Sequence, residues 1–329
     1  MKNNKTWKII FAGICVAVLL IAGYWLWITL DQKKTEETSV PAQDLSNTVL
    51  YQGKEYEYNS DLKNILFVGI DKTDMLTEQE TPGTAGQADC ILLVSMDRTS
   101  KTAKVIQVSR DTMTDVDLYD VSGNYSKTIR KQIATQYAYA NGGKSSNWAM
   151  KKAVSRLFYE LPIDGSIAMN MEGIRAITDA VGGVTLTIPE DYTVIDPAFT
   201  AGTTVTLNGE QAEKYIRYRN TDETGSNNDR MKRQTQFVPE LLKAVRATAG
   251  ESGAYYETFS SILEPYMVLD MSAKDVNELA EYGLASEDIY TVPGEVQAGA
   301  EHDEFIINED ELYEMVINMF YRPVETADR

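Results

Sequence analysis

An uninterrupted apolar run near the amino terminus constrains this chain more than any other feature. Residues Ile9 to Leu30 read IIFAGICVAVLLIAGYWLWITL and contain no charged side chain. As a helix with a rise of about 1.5 Å per residue, this run would extend roughly 33 Å, which matches a bilayer hydrocarbon core of about 30 Å. We therefore predict a transmembrane anchor at residues 9–30, preceded by a short stub at residues 1–8.

The flanks of this run predict its orientation. Trp25 and Trp27 lie near its outer end, where aromatic side chains favour the membrane interface. A cleaved signal peptide is the alternative, although its apolar region is usually shorter and ends in small residues. Lys2, Lys5 and Lys8 precede the run without any acidic residue, which favours a cytoplasmic amino terminus. The sequence thus predicts a single-pass membrane protein with an extracytoplasmic body.

The composition excludes several classes of function. The net charge is −18, and an acidic surface repels phosphate backbones, so nucleic-acid binding is not predicted. Cys15 lies in the apolar run and Cys90 in a strand-like run, so neither a disulfide framework nor a thiolate zinc site is predicted. His302 is the single histidine, which excludes histidine-based triads. Chemistry therefore falls to carboxylates, arginines, hydroxyls or a hard cation.

The body alternates apolar strands with helices. Strands are predicted at Asn64–Ile70, Cys90–Met96 and Lys104–Ser109, and the first two are apolar enough to be covered on both faces. Further helices are predicted at residues 146–159, 172–181, 208–218, 229–248, 273–282 and 309–320, and shorter strands at 184–188, 288–292 and 304–307. This pattern predicts an α/β fold, specifically a three-layer α/β/α sandwich.

The predicted domain organisation follows from these elements. Residues 31–60 are polar and without periodicity, which is typical of a linker. Residues 61–248 form the main domain. No linker-like segment precedes residues 249–329, so we predict that they continue the same domain or form a side layer of it.

The positions of the arginines predict an anionic ligand. Arg110 directly follows a strand, Arg217 and Arg219 end a helix, and Arg230 and Arg233 open the next one. A guanidinium group binds phosphate oxygens in bidentate fashion, and a helix amino terminus adds free N–H groups and a positive dipole end. The alternative is that each arginine forms a surface salt bridge with one of the many acids.

Carboxylates at strand ends predict a site for a hard cation. Asp71 directly follows the first strand and Asp89 directly precedes the second. If these strands are adjacent and antiparallel, the two carboxylates lie near one sheet edge, where they suit Mg²⁺ or Mn²⁺. Asp74, Asp97 and Asp111 are nearby candidates. The alternative is that these aspartates only cap turns.

Several stretches, taken together, resemble one known family. In order along the chain they are NILFVGID (64–71), ADCILLVSMD (88–97), VIQVSRDT (105–112), YAYANGG (137–143), MEGIRAITDAVGGVTLTIP (171–189), LNGEQAEKYIRYR (207–219) and DRMKRQTQF (229–237). The region from residue 63 to 244 is similar to the catalytic domain of the LytR–CpsA–Psr family. The resemblance implies a mixed central sheet.

The family resemblance also implies a function. Its members resemble phosphotransferases that move anionic glycopolymers, such as teichoic acids or capsular polysaccharides, from undecaprenyl pyrophosphate to peptidoglycan at a Gram-positive cell membrane. By position, Asp71 and Asp89 would hold Mg²⁺ (or Mn²⁺). The implied pyrophosphate ligands are Arg110, Arg217, Arg219, Arg230 and Gln234. The candidates for catalysis are Arg110, Asp89 and Asp111, with one of the two carboxylates accepting the proton of the attacking hydroxyl.

Three positions depart from the family pattern. Gln87 stands where an arginine is common, Gln132 where a lysine is common, and Asn227 where an aspartate is common. Two other functions use the same features: hydrolysis of polyprenyl pyrophosphates with water as acceptor, and non-catalytic binding of envelope polymers in an assembly or regulatory role. The predicted topology and negative charge argue against direct transcriptional control.

Overall fold

The computed structural model describes residues 48–220, 224–250, 253–279, 281–284, 289–300 and 302–324. Within those ranges no helix is both long and apolar enough to cross a membrane. The predicted stub at residues 1–8, the predicted anchor at residues 9–30 and the predicted linker as far as residue 47 lie outside the described residues. The described part belongs to one compact unit, residues 46–329.

The described residues contain strands and helices throughout. The strands are β1 Val49–Tyr51, β2 Lys54–Tyr58, β3 Leu62–Ile70, β4 Ala88–Asp97, β5 Thr102–Val108, β6 Met113–Tyr119, β7 Tyr125–Gln132, β8 Gly165–Asn170, β9 Val184–Thr187, β10 Thr204–Leu207, β11 Met267–Asp270, β12 Ile289–Thr291, β13 Gly294–Ala298, β14 Asp303–Ile307 and β15 Tyr321–Pro323. The helices are α1 Thr135–Ala138, α2 Lys144–Leu157, α3 Met171–Ala180, α4 Gly209–Arg217, α5 Ser226–Ala249, α6 Tyr255–Leu263, α7 Ala273–Leu279 and α8 Glu309–Phe320.

The central sheet has six strands in the order β11-β8-β3-β4-β5-β12. Strand β4 pairs antiparallel with both β3 and β5, whereas β8 is parallel to β3 and β12 is parallel to β5. The sheet is therefore mixed, and the prediction of a mixed α/β fold is confirmed. The adjacent, antiparallel arrangement of β3 and β4 also brings the positions after β3 and at the start of β4 to one edge.

Alternate side chains of β3 enter two different apolar clusters, as the two-residue period of a strand requires. Leu66 and Val68 belong to a large cluster with helices α2 and α8. Ile65 and Phe67 belong to a smaller cluster with Leu279 at the end of α7. Both faces of the central sheet are thus covered, which explains why its strands are near-continuous apolar runs.

The chain ends contribute to the same unit. Strand β2 pairs with β1 and with the C-terminal strand β15, where Tyr58 lies opposite Tyr321. The prediction of a linker reaching residue 60 is therefore wrong for residues 49–58. The segment KEYEY contains few apolar residues, and its partner strand β15 lies far from it in the sequence. The local sequence therefore did not predict strand β2. Residues beyond 249 supply β11 and β12 to the central sheet and α8 to its core.

A third apolar cluster fixes the helices that carry the predicted arginines. Hairpin β9–β10 packs on α4 and α5 through Leu186, Leu207, Tyr215 and Phe237. Helix α5 begins after Gly225, whose φ of 78° is a left-handed conformation that glycine adopts without strain. The observed helix starts three residues before the predicted one, which places Arg230 inside its first turns.

Asp117 of β6 ties the β6–β7 hairpin to helix α2. Its carboxylate is 1% exposed and lies 2.9 Å from Lys152 Nζ and 3.0 Å from Arg156 NH1. Thr128 Oγ1 donates a third hydrogen bond at 2.7 Å. Burial by itself raises the pKa of Asp117, but these hydrogen bonds outweigh it, so that the pKa is lowered overall.

We expect Asp117→Asn to lower the free energy of unfolding by about 2 kcal/mol at pH 7, because two partly buried cations lose their counter-charge. A carboxyl with a lowered folded pKa stabilises the fold above its unfolded pKa of about 3.9, and this contribution is lost as the pH falls through the folded value. In urea unfolding, the difference from the parent protein should therefore shrink below about pH 4. Asp115→Asn, an exposed position on the same strand, is the control; an equal loss there would contradict the prediction.

Candidate active site

The candidate site lies where β5 ends beside the start of β4. Because the two strands are antiparallel, with Ile91 opposite Val108, the residues after β5 approach the first residues of β4. Arg110 uses this proximity: one guanidinium nitrogen donates to Asp89 Oδ1 and another to Gln87 Oε1. The arginine and the carboxylate that the sequence singled out separately therefore form one ion pair at the sheet edge.

Arg230 reaches the same carboxylate from helix α5. Its NH1 donates to Asp89 Oδ2 at 2.7 Å, so both oxygens of Asp89 accept from guanidinium groups. Its Nε and NH2 donate to Asn227 Oδ1 at 3.2 and 2.7 Å. Burial lowers the pKa of Arg230, and the negative charge of Asp89 acts in the opposite direction. An arginine remains charged in such surroundings, so the site holds a fixed, desolvated cation.

Arg219 enters from the loop between α4 and α5. Its Nε donates to Ser226 Oγ at 3.0 Å, and its NH2 lies 3.3 Å from Asp303 Oδ2. The same Asp303 oxygen accepts from the backbone N–H of Gly225 at 2.9 Å, at the start of α5. A carboxylate of the protein thus occupies the helix amino terminus for which the sequence predicted an anionic ligand.

Asp111 lies among these arginines and is 3% exposed. Gln132 Nε2 donates to its Oδ1 at 3.0 Å, and Arg110 Nε lies 3.5 Å from the same oxygen. Burial raises the pKa of Asp111, while the charges of Arg110, Arg219 and Arg230 act to lower it. That three arginines from separate elements act on one carboxyl group places them around a common point.

The comparisons with known proteins agree with the resemblance found in the sequence. The model of the LytR_cpsA_psr family matches residues 24–319. The chain belongs to the LytR–CpsA–Psr family. The protein named polyisoprenyl-teichoic acid–peptidoglycan teichoic acid transferase TagU of Enterococcus faecalis is 25% identical over 319 residues, covering 94% of this chain and 95% of that protein.

Crystal structures of other proteins have the same fold. A protein from Streptococcus agalactiae has a TM-score of 0.62 and 20% sequence identity, covering 81% of this chain and 92% of that one. TagV of B. subtilis has a TM-score of 0.58 and 20% identity, covering 79% of this chain and 97% of that one. The mixed α/β architecture of this LytR–CpsA–Psr protein is therefore shared with them.

Arg217 is one predicted site residue that the structure does not bring to the cluster. It is the last residue of α4, and its NH1 pairs with Glu213 one turn earlier at 3.0 Å. Its side chain is 52% exposed. Arg219 lies beyond the end of the helix, so the two arginines of the Arg-x-Arg pair diverge. The prediction that both contact one ligand stays a prediction.

Gln234 lies beside the arginines but bonds elsewhere. Its Oε1 accepts from Gln107 Nε2 at 3.1 Å, and its Nε2 donates to the carbonyl of Ile216 at 3.3 Å. These contacts join α5 to β5 and α4. The described geometry thus gives Gln234 a bracing contact between helix and sheet, and its predicted pyrophosphate contact stays a prediction.

The remaining predicted carboxylates are distributed along β3 and β4. Asp71 lies beside the cluster, since its Oδ1 accepts from the backbone N–H of Gln87 at 2.5 Å. Asp97 ends β4 at the opposite end from Asp89 and caps a turn through Thr99 N–H at 2.7 Å. Asp74 is exposed. Among the described residues, no group of three or more His, Cys, Asp or Glu side chains has the geometry of a metal site.

Two features of the site were missed or only half understood from the sequence. Asp303, in an acidic segment far along the chain, is bound by Arg219, and its backbone carbonyl accepts from Gln132 at 2.8 Å. The three residues that depart from the family pattern form hydrogen bonds within the cluster. Gln87 bonds to Arg110, Gln132 to Asp111, and Asn227 to Arg230. Each neutral side chain supplies a hydrogen bond in place of a charge.

A cleft of about 750 Å³ adjoins the cluster. Ser109, which accepts from Asn227 Nδ2 at 3.1 Å, forms part of its wall. Its apolar lining includes Met231, Ile289, Val292 and Phe305. The cleft is therefore partly apolar, and its lining includes the residues next in sequence to Arg110 and Arg230.

Proposed function

We propose that this chain is a phosphotransferase that moves an anionic glycopolymer of the teichoic acid or capsular polysaccharide type from a polyprenyl-pyrophosphate carrier to peptidoglycan. The convergence of Arg110, Arg219 and Arg230 around the buried Asp111 and the half-buried Asp89 supports this most directly. Three guanidinium forks around one point suit a pyrophosphate group, whose charge increases at the leaving oxygen during transfer. TagU of Enterococcus faecalis carries a name of the same reaction class.

The reaction forms one P–O bond and breaks another. A sugar hydroxyl of the acceptor attacks the phosphorus next to the glycopolymer, and the polyprenyl monophosphate leaves with the bridging oxygen. The arginines compensate the charge on the transferring and leaving groups, so no histidine is needed. The hydroxyl proton passes to a carboxylate. Asp111 suits this role better than Asp89, because burial raises the pKa of Asp111, whereas both Asp89 oxygens accept from arginines.

Asp71 and Asp89 fit the predicted cation in donor type, and Asp89 would exchange a contact with Arg110 or Arg230 for it. Mg²⁺ in phosphate-transferring sites is held by one or two carboxylates together with substrate oxygens and water. Two carboxylates at neighbouring strand ends offer that set, with Gln87 N–H fixing one oxygen of Asp71. When bound, the cation would offset negative charge on the phosphoryl group. Mn²⁺ has similar preferences.

Other parts of the proposal concern the carrier and its location. The apolar wall of the cleft suits the first isoprenoid units of the lipid. The anchor at residues 9–30 would hold the body at the outer face of the cell membrane, where the lipid-linked substrate lies. The proposal also includes a three-layer α/β/α arrangement of this chain, as the family resemblance implies.

The deciding experiment incubates the full-length chain in detergent with a polyprenyl-pyrophosphate-linked glycopolymer, peptidoglycan oligomers and Mg²⁺. We expect release of polyprenyl monophosphate, its loss with EDTA, and its recovery with excess Mg²⁺. Polymer attached to peptidoglycan would identify transfer. Free polymer phosphate would instead indicate a pyrophosphatase. Bound lipid without any release would contradict both enzymatic functions and favour a binding protein.

A further inference from the structure

Arg219 differs from the other arginines of the cluster in which of its nitrogens contact the protein. Both terminal nitrogens of Arg110 and of Arg230 donate to protein oxygens. Arg219 instead bonds through its side edge: Nε donates to Ser226 Oγ at 3.0 Å, and NH2 donates to Asp303 Oδ2 at 3.3 Å. A guanidinium group has five N–H donors, so the edge formed by NH1 and the second N–H of NH2, here called the terminal edge, remains.

The terminal edge of Arg219 is available to a ligand. Among the residues that the structure describes, none forms a hydrogen bond or an ion pair with its NH1. The side chain is 24% exposed, so the site is open to solvent there. Phosphate oxygens bind such an edge in bidentate fashion without displacing a contact that the protein already makes.

The backbone around Arg219 does not fix this side chain. Arg219 lies beyond the end of α4, in neither a helix nor a strand. An arginine side chain has several rotatable bonds and loses much conformational entropy when it is held in one place. Contacts from other parts of the chain must therefore hold the guanidinium group if its terminal edge is to keep one direction.

Asp303 begins strand β14 and is attached through its backbone to the opposite side of the site. Its carbonyl accepts from Gln132 Nε2 at 2.8 Å, and the same nitrogen donates to Asp111 Oδ1 at 3.0 Å. Two residues further on, the N–H of Phe305 donates to the carbonyl of Asp111 at 2.9 Å. The position of Asp303 is thus set by Asp111 and Gln132, independently of the segment that carries Arg219.

The carboxylate of Asp303 passes this fixed position on to the start of α5. Its Oδ2 accepts from the backbone N–H of Gly225 at 2.9 Å as well as from Arg219 NH2. The Asp303 side chain is 13% exposed, and an ion pair shielded from water is stronger than one at the surface. Together with Ser226, Asp303 therefore holds the side edge of Arg219 in a defined place relative to Asp111.

We propose that Asp303 is a positioning residue for polymer transfer, which fixes Arg219 so that the terminal edge of its guanidinium group faces the phosphate groups of the donor. This inference rests on the proposed function and adds to it a residue that does not itself contact the reacting atoms. The negative charge of Asp303 would repel an anionic donor, but Arg219 already offsets that charge. We expect the gain from a preorganised guanidinium group to be the larger effect.

The test measures binding of inorganic pyrophosphate to the full-length chain in detergent by titration calorimetry, so that it does not depend on turnover. We expect Asp303→Ala to weaken binding roughly tenfold, because Arg219 must then be ordered by the ligand. Asp303→Asn keeps an oxygen acceptor of the same shape and should recover most of this loss. In an Arg219→Ala background, Asp303→Ala should cause no further loss, since the group that it positions is gone.

Glu304→Gln is the matched control. It removes one negative charge at the next position of β14, where the side chain points to the opposite face of the strand. We expect its affinity for pyrophosphate to remain within about twofold of the parent value. Urea unfolding of each variant measures whether a change in affinity is accompanied by a change in stability.

The outcomes separate this inference from the proposed function. Tighter binding by Asp303→Ala than by the parent protein would show that the carboxylate competes with the ligand, and would overturn the positioning role. Additive losses in the double variant with Arg219→Ala would overturn it as well. If the parent protein transfers polymer and Asp303→Ala binds pyrophosphate equally tightly, only the role of Asp303 is overturned. The expected pattern of affinities without any transfer would contradict only the proposed reaction.

Discussion

Replacing Arg110 by alanine is expected to lower the rate of polymer transfer by a factor of about 10²–10³, the usual loss when one preorganised donor to a developing charge is removed. The guanidinium of Arg110 contacts Asp89 and Gln87, and its Nε lies 3.5 Å from Asp111. No neighbouring group can reproduce this fork. Asp89 keeps Arg230 as its partner in the variant, at 2.7 Å, so the fold should persist.

Arg217→Ala is the matched control for this prediction. The same residue type is removed, and the sequence alone places both arginines in the site, but Arg217 is 52% exposed and paired with Glu213. We expect its transfer rate to remain within about twofold of the parent value, since an exposed pair contributes little. Initial rates of polyprenyl monophosphate release at saturating substrate give the comparison. Similar losses in the two variants would show that the arginine cluster is assigned incorrectly.

Arg110→Lys refines the same measurement. Lysine keeps the charge but replaces a planar fork by a single point charge. We expect this variant to recover only part of the loss, with a rate between those of Arg110→Ala and the parent protein. Full recovery would indicate that charge alone matters at this position and that bidentate contact does not.

Phe320→Ala is expected to lower the free energy of unfolding by about 3–5 kcal/mol, the usual cost of emptying a large aromatic site in a core. Phe320 is 0% exposed, at the end of α8. Its ring centroid lies 6.5 Å from that of Phe158 at an edge-to-face angle of 75°. The backbone carbonyl of Phe320 also accepts from Asn59 N–H at 2.8 Å, which joins the two ends of the described chain.

Urea unfolding at pH 7 measures this loss, and Asn318→Ala on the exposed face of the same helix provides the control. The control should change the free energy of unfolding by less than about 0.5 kcal/mol. If the C-terminal residues were a separate side layer, Phe320→Ala would produce a second, early transition and leave the main one in place. A single cooperative transition shifted to lower urea is the expected result.

The sequence predicted those strands and helices whose own residues show a clear apolar run or period. Strands β3, β4 and β5 and helices α2, α3, α4, α5 and α8 lie within a few residues of their predicted positions. Hairpin β6–β7 was missed, because β7 reads YSKTIRKQ and seven of its eight residues are not buried. Strands β8 and β11 were missed as well, because they are short and are stabilised by long-range pairing: β11 pairs with β8, and β8 pairs with β3.

In the site, too, the sequence indicated residues at the ends of local elements but not residues placed by contacts between distant parts of the chain. Arg110, Arg230, Asp89 and Asp111 were identified because strand ends and helix starts are visible in the sequence. Asp303 was not, because its contact with Arg219 joins residues far apart in the chain and no periodicity marks it. Arg217 pairs with Glu213, since the helix ends between it and Arg219, and its predicted contact with a pyrophosphate stays a prediction. Directions of side chains after a helix end depend on tertiary packing.

The arginine cluster is formally balanced in charge, with Arg110, Arg219 and Arg230 set against three aspartates. Equal and opposite charges a few ångströms apart produce a field that fades quickly, and salt screens what remains within about 8 Å. Such a site exerts little pull on an anion in solution. It becomes attractive only at contact, when ligand oxygens exchange with the carboxylate oxygens already in place. Selection then depends on how many oxygens a ligand presents and at what spacing, so that monovalent anions, abundant at a cell surface, compete poorly with a diphosphate.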